Sequence, residues 1–317
     1  MTADDVYPAD TDVSMHSKVW STLITNRKYL EGLLTLDFSL KRAQSKYPLI
    51  ALYTSQLDPK SVLEICRRGI LIMQVEALVP TKSKEFGHDS RFYDTWSKLQ
   101  PFKLTQFQRV IQLDSDMVVI RNMDELMELP LDEHIAFAAS PACVCNPLKL
   151  EHYPRNWIPK NCSYTNYHAK IGESVREDDE FRHIKGPDSR YGLKACNGGL
   201  LIVKPNMDNY NEILKTLSMP EKTASYDFPD QELLSDVFRN RWLGLSYKYN
   251  CLKTLKKCHA DVWDIDEIKN IHYIITPKPW EVSRDTFDDE TGTFEIWWKI
   301  NDERLETEKM NYVLTNV

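Results

Sequence analysis

The stretch from Arg109 to Asp116, which reads RVIQLDSD, decides the fold class. Its apolar run from Val110 to Leu113 is typical of a buried β-strand, and Asp114 and Asp116 follow directly. In open α/β sheets, ligands bind beyond the carboxyl ends of the parallel strands. The stretch therefore predicts a strand that ends in a binding site with two carboxylates.

Strand and helix patterns alternate on both sides of this stretch. Apolar runs typical of strands cover residues 19–25, 49–53, 70–75, 135–139, 200–203 and 270–275. Helical spacing covers residues 29–40, 59–68, 97–107, 207–217 and 231–238. This alternation predicts an α/β fold with a doubly wound, mostly parallel sheet and helices on both faces.

The same patterns predict how the chain is organised. Residues 1–17 are polar and predict a disordered tail, followed by one domain over residues 18–317. A helical segment is expected near the C-terminus, from about residue 286. The long polar insertion at 140–196 is of a kind that usually covers a site.

Composition and charge narrow the classes of partner. The 317 residues carry a formal net charge of -7 at pH 7, which gives no general attraction for nucleic acid or anionic lipid. The acidic N-terminus lacks a secretory pattern, and no apolar run approaches the roughly 18 residues needed to span a bilayer. We therefore expect a soluble, cytosolic protein without a membrane span.

Seven scattered cysteines lack paired C-x-x-C spacing. They indicate reduced, mostly buried thiols and neither a disulfide framework nor a zinc site. The pair Cys143 and Cys145 is a weak metal signal, so the sequence leaves both residues out of the predicted site.

Only one of the three Asp-x-Asp triplets in the chain directly follows a predicted strand. Asp10 to Asp12 lies in the predicted tail, and Asp264 to Asp266 follows no strand, whereas Asp114 to Asp116 ends one. Two carboxylates there can hold Mn²⁺ or Mg²⁺ against a diphosphate. From the residues alone, capping of a turn remains the alternative. The sequence contains none of the strings G-x-G-x-x-G, Walker, G-x-S-x-G and H-E-x-x-H. It therefore gives no support for an oxidoreductase, a kinase, a serine hydrolase or a zinc protease.

Seven strings occur in order over about residues 18–281. They are TLITN at 22–26 with Tyr29, WSKL at 96–99, LDSD at 113–116, NGG at 197–199, DFPDQ at 227–231, YN at 249–250, and HY at 272–273 with KPW at 278–280. Together they resemble the retaining family-eight glycosyltransferases, which include glycogenin and plant galactinol synthase. The resemblance implies a single-domain glycosyltransferase A fold and a metal-dependent hexosyltransferase that uses a UDP-sugar.

The resemblance also implies residue roles. Nucleotide and donor contacts fall on Leu23, Thr25, Asn26, Tyr29, Arg91, Lys98, Asp114, Ser115, Asp116 and Lys278. The implied metal ligands are Asp114, Asp116 and His272, a set that suits Mn²⁺ better than Mg²⁺. Residues around the transferred sugar would be Asn197, Asp227, Asp230 and Gln231. From the pattern alone, Asp230 is also an N-cap of a helix that begins at Gln231.

Two departures bear on diphosphate binding and on the acceptor. Ile275 stands where the family has a glycine, with Pro277 nearby, so the backbone contact to the diphosphate is at issue. No tyrosine lies between Asn250 and His272, the segment in which glycogenin carries its own acceptor. A small polyol such as inositol is the acceptor that the resemblance favours, with UDP-glucose or UDP-galactose as donor. A self-glycosylating primer and a non-catalytic sugar-nucleotide-binding protein are the alternatives.

The sequence leaves the oligomeric state open. Trp297 and Trp298 near the C-terminus fit either the core or the interface of a homodimer.

Overall fold

The computed structural model describes residues 10–82 and 94–315 and confirms the predicted α/β class. The strands are β1 (Lys18–Ile24), β2 (Leu49–Tyr53), β3 (Leu71–Gln74), β4 (Arg109–Leu113), β5 (Met117–Val119), β6 (Phe137–Ala139), β7 (Leu200–Val203), β8 (Trp242–Gly244), β9 (Cys251–Leu252) and β10 (Asn270–His272). The α-helices are α1 (Leu30–Arg42), α2 (Pro59–Arg67), α3 (Tyr167–Ser174), α4 (Met207–Leu217), α5 (Pro220–Thr223), α6 (Pro229–Val237), α7 (Leu255–Cys258) and α8 (Thr293–Thr315).

The main sheet has seven strands in the order β3-β2-β1-β4-β7-β6-β8. β7 runs antiparallel to β4 and β6, and the remaining neighbours are parallel. Because a reversed strand begins where its neighbours end, the residues before β7 reach the carboxyl edge of β4. At that edge the backbone N–H of Asp114 donates to the carbonyl of Gly199 at 2.8 Å.

A second sheet, β5-β10-β9, brings a distant part of the chain to the same edge. β5 begins directly after Asp116, and its Met117 pairs with His272 of β10 in antiparallel register. The N–H of Tyr273 also donates to the carbonyl of Asp116 at 2.8 Å. The backbone pairing alone therefore places His272 beside the acidic pair.

Helices cover both faces of the main sheet, as predicted. In β7, Leu200 packs in the cluster that contains Leu36 of α1. The next residue, Leu201, packs with Ile213 of α4 and Leu233 of α6. Since successive strand residues point to opposite faces, these two clusters lie on opposite faces of the sheet.

Several element boundaries differ from the prediction, among them those of β10, of the helix expected at 97–107 and of the C-terminal helix. β10 ends at His272 because Ile275 has φ 61°, outside the β region. The helix expected over residues 97–107 is a 3-10 helix, Thr95–Lys103, which contains Pro101 and so lacks one backbone donor. The C-terminal helix begins at Thr293 and not near residue 286.

The end of the predicted tail contacts the sheet. The N–H of Thr11 donates to the carbonyl of Ile72 at 3.1 Å, and the N–H of Ile72 donates to the Thr11 hydroxyl at 3.1 Å. Asp10 and Thr11 are thus bonded to the edge strand β3. The division into a tail of residues 1–17 and one following domain otherwise stays a prediction.

The insertion at 140–196 packs against the C-terminal helix. Cys162 and Tyr164 share a buried cluster with Trp297 and Trp298 of α8, which are 1% and 9% exposed. Both tryptophans are therefore core residues of this chain. Among the described helices, none combines the length and the apolar character that crossing a membrane requires. The cytosolic location stays a prediction.

Candidate active site

A cavity of about 340 Å³ opens at the carboxyl edge of β1 and β4. Its lining contains these predicted site residues: Leu23, Thr25, Asn26, Tyr29, Lys98, Asp114, Ser115, Asp116, Asn197, Asp230, Gln231, His272 and Lys278. Arg91 lies outside the described residues. Asp227 is not among the described lining residues, and its N–H donates to Glu232 at 3.1 Å. The roles of these two residues stay predictions.

Asp114, Asp116 and His272 form a compact group of possible metal ligands. The His272 Nε2 atom lies 3.2 Å from Oδ1 of Asp116 and 3.6 Å from Oδ2 of Asp114. Ligand atoms about 2.1 Å from an octahedral cation are themselves about 3.0 Å apart. The spacing of the three side chains therefore fits one divalent cation.

A hydrogen-bond chain fixes the ring of His272. The Nδ1 atom lies 2.9 Å from Oδ1 of Asn250, whose amide Nδ2 donates to Oδ1 of Asn197 at 2.8 Å. Since Asn250 presents its carbonyl oxygen, Nδ1 of His272 carries the proton and Nε2 keeps its lone pair.

The carboxylate that faces Nε2 of His272 belongs to Asp116. Oδ1 of Asp116 is buried and, among the described residues, has no hydrogen-bond partner. Two lone pairs, on Oδ1 of Asp116 and Nε2 of His272, thus face each other at 3.2 Å. A cation between them would satisfy both, because a buried acceptor without a partner is costly.

Two lysines, one partly buried and one fully buried, balance the carboxylates. Lys98 donates to Asp114 at 2.8 Å, and Lys278, which is 1% exposed, donates to Asp116 and to the carbonyl of Tyr273. Burial disfavours the charge on Lys98, but Asp114, Asp230 and Asp116 outweigh it and raise its pKa.

The pKa values of the two aspartates are shifted in opposite directions. Burial raises the pKa of Asp114 more than the nearby Lys98 lowers it. For Asp116, burial raises the pKa, but the charge of Lys278 outweighs burial and holds the pKa well below its usual value. Asp116 is therefore the more firmly ionised of the pair.

Gly198 and Gly199 allow two functional side chains to approach the backbone closely. A Cβ atom on Gly198 would lie 2.2 Å from Oδ2 of Asp230, and one on Gly199 would lie 2.3 Å from Cε1 of His272. Any side chain at these positions would displace Asp230 or His272. The NGG string is thus explained by packing against the site.

Asp230 and Gln231 lie in the first turn of α6 and are 6% and 9% exposed. The helix begins at Pro229, so the N-cap position belongs to Phe228. The alternative of an Asp230 N-cap is therefore wrong, because the helix begins at Pro229, two residues before the predicted start at Gln231. The Asp230 carboxylate lines the cavity instead.

The loop after β1 forms the opposite wall. The Thr25 hydroxyl donates to Asp94 at 2.9 Å, and Asp94 also lines the cavity. The Tyr29 ring meets Trp280 edge-on at 5.8 Å, which supports the ring from behind. Ser115 is buried, and its hydroxyl lies 3.1 Å from the carbonyl of Leu23, so it joins the two strand ends.

Ile275 adopts the backbone conformation of a glycine. Its φ of 61° lies in the left-handed region, which β-branched residues rarely occupy. The Lys253 ammonium donates to the carbonyls of Ile275 and Pro277 at 3.0 and 2.9 Å. Ile275 thus has a left-handed backbone conformation, and Lys253 binds its carbonyl.

The insertion supplies an aromatic wall that the sequence did not predict as part of the site. Trp157 stacks on Phe228 with ring centroids 4.5 Å apart and planes 11° apart, and Tyr153 meets both rings edge-on. All three line the cavity. The sequence signal for Tyr153 and Trp157 is the aromatic content of the insertion, and Phe228 belongs to the DFPDQ string, in which the family resemblance implies no role for this residue.

Comparisons with known proteins agree with this geometry. Residues 22–283 match the model of Glycosyl transferase family 8. Galactinol synthase 2 of Arabidopsis thaliana is 24% identical over 287 residues, which covers 88% of this chain and 79% of that protein. Galactinol synthase 2 of Solanum lycopersicum is 25% identical over 96% of this chain and 86% of its own length.

Solved glycosyltransferases share the fold. The galactosyltransferase LgtC, solved with donor and acceptor sugar analogs, superposes with a TM-score of 0.58 at 14% identity and covers 90% of this chain and 96% of its own. GlyE of Streptococcus pneumoniae TIGR4 gives a TM-score of 0.54 at 16% identity, over 90% of this chain and 60% of its own. With its site geometry and a family match over most of its length, the chain belongs to glycosyltransferase family 8.

Proposed function

We propose that this glycosyltransferase moves a hexose from a UDP-sugar to a small polyol, with retention of the anomeric configuration. The observation that carries the proposal is the group formed by Asp114, Asp116 and His272 at the end of β4, inside the cavity. Two carboxylates and an imidazole in this arrangement are suited to Mn²⁺. Bound there, the cation would supply positive charge for the departing diphosphate.

The loop after β1 would bind the nucleotide. Asn26 and Tyr29 line the cavity beside the carboxylates, and Trp280 holds the Tyr29 ring. An aromatic ring supported in this way can stack on uracil with little loss of conformational entropy. Thr25 and Asp94, already hydrogen-bonded to each other, offer polar contacts for the ribose.

Lys278 would stabilise the leaving group. Its ammonium lies beside Asp116 in a buried position, where charge interactions are stronger than in water. When the bond between sugar and diphosphate breaks, negative charge develops on the diphosphate oxygen. A lysine already held at that position stabilises this charge without reorganisation.

We favour a front-face route for the transfer. The anomeric carbon loses its bond to the diphosphate oxygen, and the acceptor oxygen bonds to the same face of that carbon. The acceptor proton passes to the departing diphosphate. Asp230 and Gln231 would hold the sugar hydroxyls, and Asp230 would stabilise positive charge on the sugar ring.

The acceptor proposal rests on the relatives and on the aromatic wall. Two of the relatives are named galactinol synthases, which supports a galactose donor and an inositol-type acceptor. Trp157 and Phe228 present a flat apolar surface of the kind that packs against the C–H face of a ring polyol. His152 on the same wall adds a polar group.

A donor and acceptor screen tests the function. We expect UDP release with Mn²⁺, UDP-galactose and myo-inositol, and NMR of the product should show an α-linkage. Asp116→Asn should abolish turnover, whereas Asp264→Asn, in the triplet that follows no strand, should leave it unchanged. The proposal fails if no UDP-sugar and polyol pair turns over, or if Asp116→Asn matches the wild type.

Intact mass separates this function from the alternatives. A self-glycosylating primer would gain the mass of one or more hexoses after incubation with donor alone. A protein that only binds the donor would show Mn²⁺-dependent UDP binding by calorimetry without turnover of any acceptor. Under the proposed function, the protein mass stays constant while free glycosylated polyol accumulates.

A further inference from the structure

Three cysteines and a histidine converge in a second group of possible ligands, of which Cys143 also lines the cavity. Cys143 and Cys145 follow β6, Cys162 lies in the insertion, and His259 directly follows α7. Their sulfur and Nε2 atoms all lie within 4.8 Å of one another. Cys145, Cys162 and His259 are buried, so the ligand atoms face each other in the interior.

The distances match a tetrahedral metal centre. The sulfurs of Cys143 and Cys162 are 3.9 Å apart, and Nε2 of His259 lies 3.1 Å from Cys145 and 3.4 Å from Cys162. A tetrahedron with Zn–S bonds of about 2.3 Å has edges of about 3.8 Å between sulfurs and about 3.6 Å between sulfur and nitrogen. A disulfide would instead need about 2.05 Å between sulfurs.

From this geometry we propose that Cys143, Cys145, Cys162 and His259 bind one structural Zn²⁺. Four protein ligands complete a tetrahedron and leave no open position, as in structural zinc sites. Thiolates select zinc over Mn²⁺ and Mg²⁺, which prefer oxygen ligands. The site is therefore distinct in chemistry from the group of Asp114, Asp116 and His272.

Packing alone does not account for the arrangement. Buried thiols in an apolar core usually contact hydrocarbon, whereas here three sulfurs and an imidazole nitrogen point toward one centre. Cys258, which directly precedes His259, is a further partly buried thiol of this segment. Sequence spacing conceals the group because its members come from three separate segments.

The zinc would fasten the wall of the cavity. Residues 146–161 form a loop between Cys145 and Cys162, and Leu150, His152 and Trp157 of this loop line the cavity. His259 ties both ends of the loop to the segment after β9. Binding energy at the zinc would thus hold the acceptor side of the cavity in its folded form.

Metal analysis tests the site. Untagged protein expressed with zinc and purified without chelators is expected to carry about one Zn²⁺ per chain. The zinc should remain in the double variant Asp114→Ala/Asp116→Ala and fall at least fivefold in Cys145→Ser and His259→Ala. Cys66→Ser on α2 is the matched control and should keep the metal.

Cobalt substitution is carried out in the wild-type protein, so its result does not depend on whether the variants fold. Replacement by Co²⁺ in the wild type should give sulfur-to-cobalt charge-transfer absorption and the strong visible bands of tetrahedral coordination. The proposal is overturned if wild-type protein contains no zinc and shows no such bands. It is equally overturned if the zinc is lost with Asp114 and Asp116, or if peptide mapping finds Cys143 and Cys162 joined as a disulfide.

Failure of the zinc site and failure of the proposed function are distinguishable. Zinc content and cobalt spectra report on the thiols whether or not any sugar is transferred. UDP release with the wild type reports on the acidic site and requires no knowledge of the zinc.

Discussion

His272 and Asn250 are joined at 2.9 Å through Nδ1 and the amide oxygen, and this contact aims the other ring nitrogen at Asp116. Neither residue is near Asp116 in sequence. The side-chain amide of Asn250 thereby determines which nitrogen of the imidazole can bind a cation.

Asn250→Ala should weaken Mn²⁺ binding about 10- to 100-fold, as is typical when a group that orients a ligand is removed. The ring of His272 would keep its place in β10 but lose its fixed tautomer. Titration of metal-free protein with Mn²⁺ measures the effect. Asn209→Ala, on α4 outside the cavity, is the control, and equal affinities in the two variants would contradict the proposed role.

Lys278→Met should make the protein depend on metal for stability. Without the lysine, the buried carboxylate of Asp116 loses its ion pair, which typically costs about 3–5 kcal/mol. Added Mn²⁺ replaces that charge, so it should raise the melting temperature of the variant more than that of the wild type.

Thermal melts with Mn²⁺ and with a chelator give the comparison. Lys222→Met is the matched control, because its ion pair with Asp236 is much more exposed. We also expect kcat of Lys278→Met to fall about 100-fold or more through loss of charge stabilisation. If Mn²⁺ raises the melting temperature of Lys278→Met no more than that of the wild type, the cation does not replace the lysine charge at Asp116.

Ile275→Gly should raise the free energy of unfolding by about 0.5–1 kcal/mol. A left-handed φ costs a β-branched residue about 1–2 kcal/mol, and the entropy lost by glycine offsets about half of that. The KM for the donor should change less than threefold, because Lys253 holds the same carbonyl in both proteins.

Denaturant unfolding and donor kinetics test this together with a converse control. Gly69 has φ 70° and no atom within 4 Å of an added Cβ, so Gly69→Ala isolates the cost of a left-handed side chain. It should destabilise the protein while Ile275→Gly stabilises it. A large rise in donor KM for Ile275→Gly would mean that the isoleucine side chain itself contacts the donor.

Trp157→Ala should raise the KM for the acceptor about tenfold and leave the KM for the UDP-sugar nearly unchanged. The variant removes half of the stacked pair with Phe228, and neither ring is among the residues proposed for the donor. Initial rates with each substrate varied in turn measure the split. Ile158→Ala, exposed on the same loop, should have neither effect, and equal rises in both KM values would rule out a wall specific to the acceptor.

Most of the residues proposed to bind the donor could be predicted from the sequence, and for the two aspartates the neighbouring residues alone were enough. Asp114 and Asp116 follow a strand whose apolar run is unmistakable, so their place at a sheet edge follows from chain direction. His272 and Lys278 required the family resemblance, since nothing nearby marks them. Asn250 appeared in a resembling string without a role, because its function exists only through the ring that it contacts.

Other features could not be predicted because they depend on tertiary contacts. Cys143, Cys162 and His259 are far apart in sequence, and only the packing of the insertion on α7 brings them together. β10 stops at His272 because the following loop adopts a left-handed conformation at Ile275, against the preference of that residue. The spacing of apolar residues indicates which positions are buried. It does not indicate which distant side chains meet or which backbone conformation a loop adopts.

The aromatic wall has a consequence for how such enzymes diversify. The proposed donor contacts lie mostly in loops at the carboxyl edge of the sheet, whereas Tyr153 and Trp157 belong to the insertion between β6 and β7. Under the proposed function, mutations in the insertion would change the acceptor while the sugar-nucleotide contacts are retained. Selection can therefore act on the two substrates separately, within a single chain.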